Sequence, residues 1–250
     1  LHPPAAKKIG ASPEGAAGEE QVSRYVQDMF GRVAHRYDLA NHLLSFNIDR
    51  YWRSRTVAEV KPVLLRPEAR VADLCCGTGD LLMALENARG ASCFGSDFCH
   101  PMLTAAGAKL GKGRLRSALF ESDVLRLPVR DASLDLITMA FGFRNLANYD
   151  AGLIEMRRVL RRDGMLAILE FSQPPNRAFA ALYDFYSRRI LPVIGGALSG
   201  ARDAYTYLPD SVWKFPDAEE LAARMRVAGF RDVRFVRMTF GIVALHLARV

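Results

Sequence analysis

Between residues 70 and 171 the sequence alternates five short, almost unbroken apolar runs with stretches of helical character, and few folds accept that pattern. The runs are VADLC (71–75), SCFGSD (92–97), SALFESD (117–123), LDLITMAF (134–141) and MLAILEF (165–171). Between them lie DLLMALENARG (80–90), HPMLTAAGAKL (100–110), with Pro101 in its first turn, and DAGLIEMRRVLRR (150–162), with Asp150 as the expected cap. A strand that is apolar on both sides must be covered on both faces. The pattern therefore predicts an α/β fold, a doubly wound parallel sheet. EELAARMRVAGF (219–230) predicts one more helix. VRFVRMTF and GIVALHLARV, joined near Gly241, predict an antiparallel hairpin at the far edge of the sheet.

The flanks read differently. Residues 1–20 carry almost no large apolar groups and predict a disordered arm. Val22, Tyr25, Val26, Met29, Phe30 and Val33 recur at helical spacing and open a helical cap over 21–65. The stretch 174–215 is aromatic, apolar and broken by Pro and Gly, which predicts an inserted helical lid. Residues 21–250 are thus expected to form a single domain. Half of the 250 residues are hydrophobic, enough for a core that needs neither disulfide nor metal.

The four cysteines, Cys75, Cys76, Cys93 and Cys99, form no C-x-x-C pair, and only His100 lies near them, so no metal site is predicted. With no charged-then-apolar leader, they read as reduced thiols in a cytoplasmic protein. No apolar run reaches the roughly 18–20 residues of a spanning helix. The net charge is +7, but Arg157, Arg158, Arg161, Arg162, Arg188 and Arg189 are dispersed rather than gathered in a basic tract. That distribution fits a solvated face first and contact with an anionic membrane surface second; it gives no support to nucleic acid as a partner.

The first strand runs into Gly77-Thr78-Gly79 and then a helix, the arrangement that receives a nucleotide-like ligand at the carboxyl end of a parallel sheet. Asp97 ends the second strand 20 residues after Gly77, where a carboxylate can accept hydrogen bonds from a ribose diol; a helix cap is the competing role. Asp123 ends the third strand, followed by Val124. It can cap an adenine amino group or simply form a turn. The dinucleotide fingerprint is incomplete, because Leu82 stands where its third glycine belongs. Asp73 in the strand and Asp80 at the start of the helix would repel a pyrophosphate. A cofactor with ribose and adenine, positive charge and no phosphate fits better, and S-adenosyl-L-methionine has those properties.

Three stretches carry a family resemblance over roughly residues 22–250. YDLANHLLSFNIDRYWR (37–53), FGFRN (141–145) and RVLRRDGMLAILEFS (158–172), with the tail GIVALH (241–246), resemble the ubiquinone/menaquinone biosynthesis C-methyltransferases. Asn47 replaces a glycine usual in the first stretch, and Asn tolerates a left-handed backbone better than most residues. Asp49 stands where a histidine is common, and Arg162-Asp163 replaces the usual Pro-Gly. The resemblance implies a seven-stranded, Rossmann-like fold of class I S-adenosylmethionine-dependent methyltransferases. It places cofactor contacts on Thr78, Asp97, Asp123 and Val124, and on the backbone of Ala140, where the family often has serine. It implies a prenylated quinol as substrate, methylated at a ring carbon beside a hydroxyl. Arg144 would stabilise the oxyanion, with Asn145 orienting the ring oxygen or a water and Tyr37 as a further polar group.

No residue is assigned as the general base: His35 and His42 are the candidates, and they read as surface groups first. The apolar residues Phe179, Leu182, Tyr183, Tyr186 and Ile190 suit either lid packing or an isoprenoid tail. The Cys-Cys-Gly-Thr turn and Ser172-Gln173-Pro174 resemble members acting on a demethylated naphthoquinol, the step that completes menaquinone, more than those acting on a benzoquinol of ubiquinone synthesis. The rival classes are a nucleic-acid methyltransferase and a non-catalytic assembly protein on a cofactor fold. Against the former, the fourth strand ends in FGFRN, without an Asn/Asp-Pro-Pro-aromatic segment.

Overall fold

A computed structural model of the chain describes residues 9–13, 15–16, 18–34, 38, 45, 47–190 and 202–250. Seven strands form one sheet: β1 (Val71–Leu74), β2 (Phe94–Asp97), β3 (Ala118–Glu121), β4 (Leu134–Ala140), β5 (Leu160–Phe171), β6 (Arg231–Met238) and β7 (Val243–Arg249). Their spatial order is β3-β2-β1-β4-β5-β7-β6. The first five are parallel, and β7 runs antiparallel between β5 and β6. The helices of the alternating half are α3 (Asp80–Arg89), α4 (His100–Gly113) and α5 (Tyr149–Val159). Before them come α1 (Glu19–Val33) and α2 (Ile48–Leu64); after β5 come α6 (Arg177–Phe185), α7 (Arg202–Lys214) and α8 (Ala218–Val227).

The apolar runs are continuous because both faces of the sheet are buried. On β5, Met165, Ala167 and Leu169 pack with α2 and α3 residues such as Leu64, Leu82 and Leu85. Leu166 and Ile168 pack on the other face with Leu153 and Met156 of α5 and Leu221 of α8. Each such side chain contributes about 1.5–3 kcal/mol of burial. On β4 the alternation slips: Leu134 and Leu136 belong to opposite faces, where the register with β5 shifts.

Two boundaries differ from the sequence reading. The helix expected over 150–162 ends at Val159, and the strand expected from 165 begins at Leu160. Leu160 pairs with Leu134, and Arg161 meets Asp135 at 3.0 Å, so tertiary partners draw this segment into the sheet. The cap of α5 is Asn148, whose side chain accepts from Ala151 N; Asp150 sits in the first turn and pairs with Arg224 at 3.1 Å. Asn47 takes the left-handed conformation, φ 59°, as the N-cap of α2, the geometry its glycine substitution required. Residues 9–12 lie along the loop before α5: Ala11 N donates to Leu146 O, Tyr149 N to Ile9 O, and Lys214 Nζ to Ser12 O.

All parallel strands end at one edge, and the turns that follow β1, β2, β3 and β4 meet there. The stretch 174–215 holds α6, a π-turn over Tyr186–Ile190, and α7. Among the described residues no helix is long and apolar enough to cross a membrane.

Candidate active site

The turn after β1 reverses the chain within five residues. Cys75, Gly77 and Gly79 all have positive φ, at 49°, 54° and 86°. Glycine adopts this freely, whereas Cys75 does so at a cost of about 1–2 kcal/mol. Three backbone N–H groups hold the turn: Cys76 N donates to Ser96 O at 2.9 Å, Gly79 N to Cys76 O at 2.9 Å, and Gly77 N to Asp97 Oδ2 at 2.8 Å. The β4 loop closes onto the turn so tightly that a Cβ on Gly142 would lie 2.3 Å from Cys75 Cβ.

A cleft opens beside this turn. Of the residues expected at a cofactor, Gly77, Asp97, Asp123, Val124 and Ala140 line it, and Asn145 joins them. Cys75, Phe98, Met102, Ser122 and Phe141 add to the wall, with Ser23 and Phe30 of α1. Asp97 is buried. Burial pushes its pKa above the ordinary carboxylate value, while the N–H groups of Cys99 and Gly77 oppose that rise. Its two oxygens bond Cys99 N at 2.9 Å and Gly77 N at 2.8 Å. A carboxylate has about four lone-pair sites, so acceptor capacity remains for ribose hydroxyls. Asp123 accepts from Leu125 N at 2.9 Å, and Ser96 and Ser122 share a 2.6 Å hydrogen bond.

Other expected site residues lie behind the cleft wall. Asp73 is fully buried and accepts from Thr138 Oγ1 at 2.7 Å; desolvation drives its pKa up to about 7. The Thr78 hydroxyl donates to Asp38, and Lys109 Nζ reaches Asp38 at 2.8 Å, Thr78 at 3.3 Å and Asp80 at 2.5 Å. Gly79 packs against Ala106 of α4. Asp80 therefore does not confront a ligand as a free anion: Lys109 matches it, and Arg53 stands 3.6 Å away. The case against a pyrophosphate rests instead on the turn itself, whose N–H groups at Cys76, Gly77 and Gly79 are already spent, and on Asp97 and Asp123. Those residues fit S-adenosylmethionine, which offers hydroxyl donors and cationic groups and needs no phosphate cradle.

After β4, FGFRN forms a turn of 3-10 helix over Phe143–Asn145. Arg144 is almost wholly buried. Its Nη1 donates to Glu170 Oε1 at 2.9 Å and Phe141 O at 2.6 Å, and its Nε donates to Ser211 Oγ at 3.3 Å. Its backbone N donates to Glu170 Oε2 at 3.1 Å, and its guanidinium stacks over Phe171 at 5.3 Å. The residue expected to stabilise an oxyanion is thus half of a buried ion pair, and Arg144 is absent from the cleft lining. Tyr37, His35 and His42 lie outside the described residues.

Sequence reasoning missed Glu170, Lys109, Tyr207 and Ser211. Glu170 carried a usable signal: a lone acid inside an apolar strand must find a cationic or hydrogen-bonding partner. Among the described residues no cluster of three or more His, Cys, Asp or Glu could hold a metal ion.

Sheet order and cleft together define a methyltransferase of the Rossmann-like, S-adenosylmethionine-dependent class. Solved structures share the fold. A methyltransferase of this class from Aquifex aeolicus aligns with TM-score 0.56 at 21% identity over 77% of this chain and 88% of its own. A possible histamine N-methyltransferase from Thermotoga maritima gives 0.61 at 17% identity over 89% and 98%. In sequence, the chain is 47% identical to the demethylmenaquinone methyltransferase of Thermus thermophilus, over 88% of this chain and 98% of that protein. It is 47% identical to the protein of that name from Deinococcus radiodurans, over 91% and 93%. The family model matches residues 17–249, and the chain belongs to the ubiE/COQ5 methyltransferase family.

Proposed function

We propose that the protein methylates a ring carbon of a prenylated quinol, converting demethylmenaquinol to menaquinol. The observation that carries this reading is the near full-length identity to demethylmenaquinone methyltransferases. The cleft supports it, because Asp97 and Asp123 line it together with the aromatic ring of Phe141 and the amide of Asn145. S-adenosylmethionine, when bound, supplies an electrophilic methyl group on a sulfonium.

The chain's own residues have three tasks. Asp97 accepts the ribose hydroxyls, and Asp123 with Val124 borders the adenine. Asn145 meets the ring oxygen. A phenol carbon attacks well only once its hydroxyl, with a pKa near 10, has ionised, so a donor at that oxygen favours the reactive form. Arg144 acts in this role at one remove: paired with Glu170 and set behind the cleft lining, it fixes the turn that carries Asn145. Tyr37, which lies outside the described residues, is a further polar candidate on the family resemblance alone. Holding ring and cofactor together supplies roughly 7–11 kcal/mol of barrier reduction. Assay of the protein with S-adenosylmethionine and each quinol type tests the reading. Methyl transfer to demethylmenaquinol is expected; transfer to the benzoquinol alone would assign the chain to ubiquinone synthesis.

The same substrate places the enzyme at the inner face of the cytoplasmic membrane as a peripheral protein. Leu182 and Phe185 of α6 and Phe240 at the hairpin tip are 64%, 58% and 79% exposed, and Phe179 and Phe240 touch with ring centroids 5.1 Å apart. Arg177 and Arg189 are exposed on the same segment. Apolar groups beside cations suit an anionic bilayer. Flotation with anionic vesicles is expected to carry the protein upward, and the triple variant Leu182→Ser, Phe185→Ser, Phe240→Ser to stay below. Equal flotation of both would move the contact elsewhere.

A further inference from the structure

Helix α7 meets the candidate site at two consecutive residues. Tyr207 and Ser211 are four residues apart, so they share one face of the helix. The Tyr207 hydroxyl donates to Asn145 Oδ1 at 3.2 Å, and Ser211 Oγ accepts from Arg144 Nε at 3.3 Å. Tyr207 is itself buried, with the ring of Tyr25 from α1 against it at 6.0 Å.

A side-chain amide has two ends of nearly the same shape and opposite hydrogen-bonding character, and its surroundings decide which way it points. At Asn145 the deciding partner is Phe141 O. A carbonyl only accepts, and it faces Nδ2 at 3.5 Å, where Arg144 Nη1 also donates to it. With Nδ2 on that side, Oδ1 must face Tyr207, and the tyrosine must act as the donor. Burial pushes its pKa up to about 12, so the hydroxyl keeps its proton at any working pH. The amide oxygen is then occupied. Nδ2 carries a second N–H, and among the described residues no acceptor meets it. Asn145 lines the cleft.

We propose that Tyr207 is a positioning residue: its hydroxyl holds the Asn145 amide so that the side chain offers the cleft an N–H donor rather than a carbonyl. A donor stabilises the oxygen of an ionising phenol, whereas a carbonyl in the same place repels it. The lid helix thereby sets the polarity of the group that meets the substrate oxygen. This rests on the reading that a quinol ring binds beside Asn145.

The test is Tyr207→Phe, made in the wild-type chain and in Asn145→Ala. Loss of one positioned hydrogen bond is expected to lower kcat about tenfold in the wild-type background, with KM for S-adenosylmethionine unchanged. In Asn145→Ala the same change is expected to cost nothing more, because the tyrosine acts only through the amide. Asn145→Asp, which places acceptors where the flipped amide would, is expected to fall below Asn145→Ala. An equal loss from Tyr207→Phe in both backgrounds, or no loss in either, overturns the proposal.

A second readout needs no substrate. The side-chain N–H resonances of Asn145, assigned by their disappearance in Asn145→Ala, are expected to shift in Tyr207→Phe. Unmoved resonances overturn the contact whatever the enzyme methylates. A wild-type chain inactive on both quinols, with resonances that do shift, sinks the quinol reading and leaves the amide orientation standing.

Discussion

Arg144→Ala is expected to destabilise the fold by about 3–5 kcal/mol, because it strands the Glu170 carboxylate in the interior with its charge unmatched. Both side chains are almost completely buried, Arg144 at 5% and Glu170 at 1% exposure. The loss also removes the guanidinium donors to Phe141 O and the Ser211 hydroxyl. For a domain of this size the melting temperature should fall by roughly 6–20 °C. Thermal and urea unfolding measure it. Adding Glu170→Gln to Arg144→Ala removes the stranded charge and should recover part of the loss. A single variant within about 1 kcal/mol of the parent would mean that the pair is solvated. Activity lost in Arg144→Ala is therefore no measure of oxyanion stabilisation until stability has been accounted for.

Asp97→Ala is expected to weaken cofactor binding roughly 10- to 100-fold, the worth of one or two hydrogen bonds to a charged acceptor. Calorimetry with S-adenosylhomocysteine reads this without turnover. Part of the loss has a second origin, since the change also leaves Gly77 N and Cys99 N without their acceptor and loosens the turn. Asp97→Asn separates the two: it keeps an acceptor for one backbone group but lacks the charge, and should fall between parent and Ala. Unchanged affinity in Asp97→Ala would remove Asp97 from the ribose.

The five parallel strands were legible because each is buried on both faces and so cannot tolerate polar interruption. The glycine turn was legible because its backbone demands positive φ at Gly77 and Gly79. Asn47 shows the same logic at a single residue. Asp97, Asp123 and Val124 follow from topology, since parallel strands bring their carboxyl ends to one edge, whereas Ala140 comes from the family resemblance. What the sequence hid was pairing at a distance. Asp80 read as an exposed anion, yet Lys109, 29 residues on, sits against it. Arg144 read as the group that stabilises an oxyanion, yet Glu170, 26 residues away in sequence, lies 2.9 Å away in space. No local pattern carries such contacts, because they depend on how α4, β5 and α7 are set down on the sheet. The early end of α5 has the same cause, with sheet pairing at Leu160 overriding helical periodicity.

Lys109 has one more consequence. It joins Asp38, in the signature segment before α2, to Thr78 and Asp80 of the cofactor turn, and Arg53 extends the chain of charges toward Asp49. This clasp is ionic and only partly buried. At an ionic strength near 0.15 M fields are screened over about 8 Å, and over about 3 Å at 1 M. Contact pairs that are partly buried feel this screening less than exposed charges do, so added salt should slacken the hold of Asp38 on the turn only in part, whereas the apolar sheet beneath is indifferent to it.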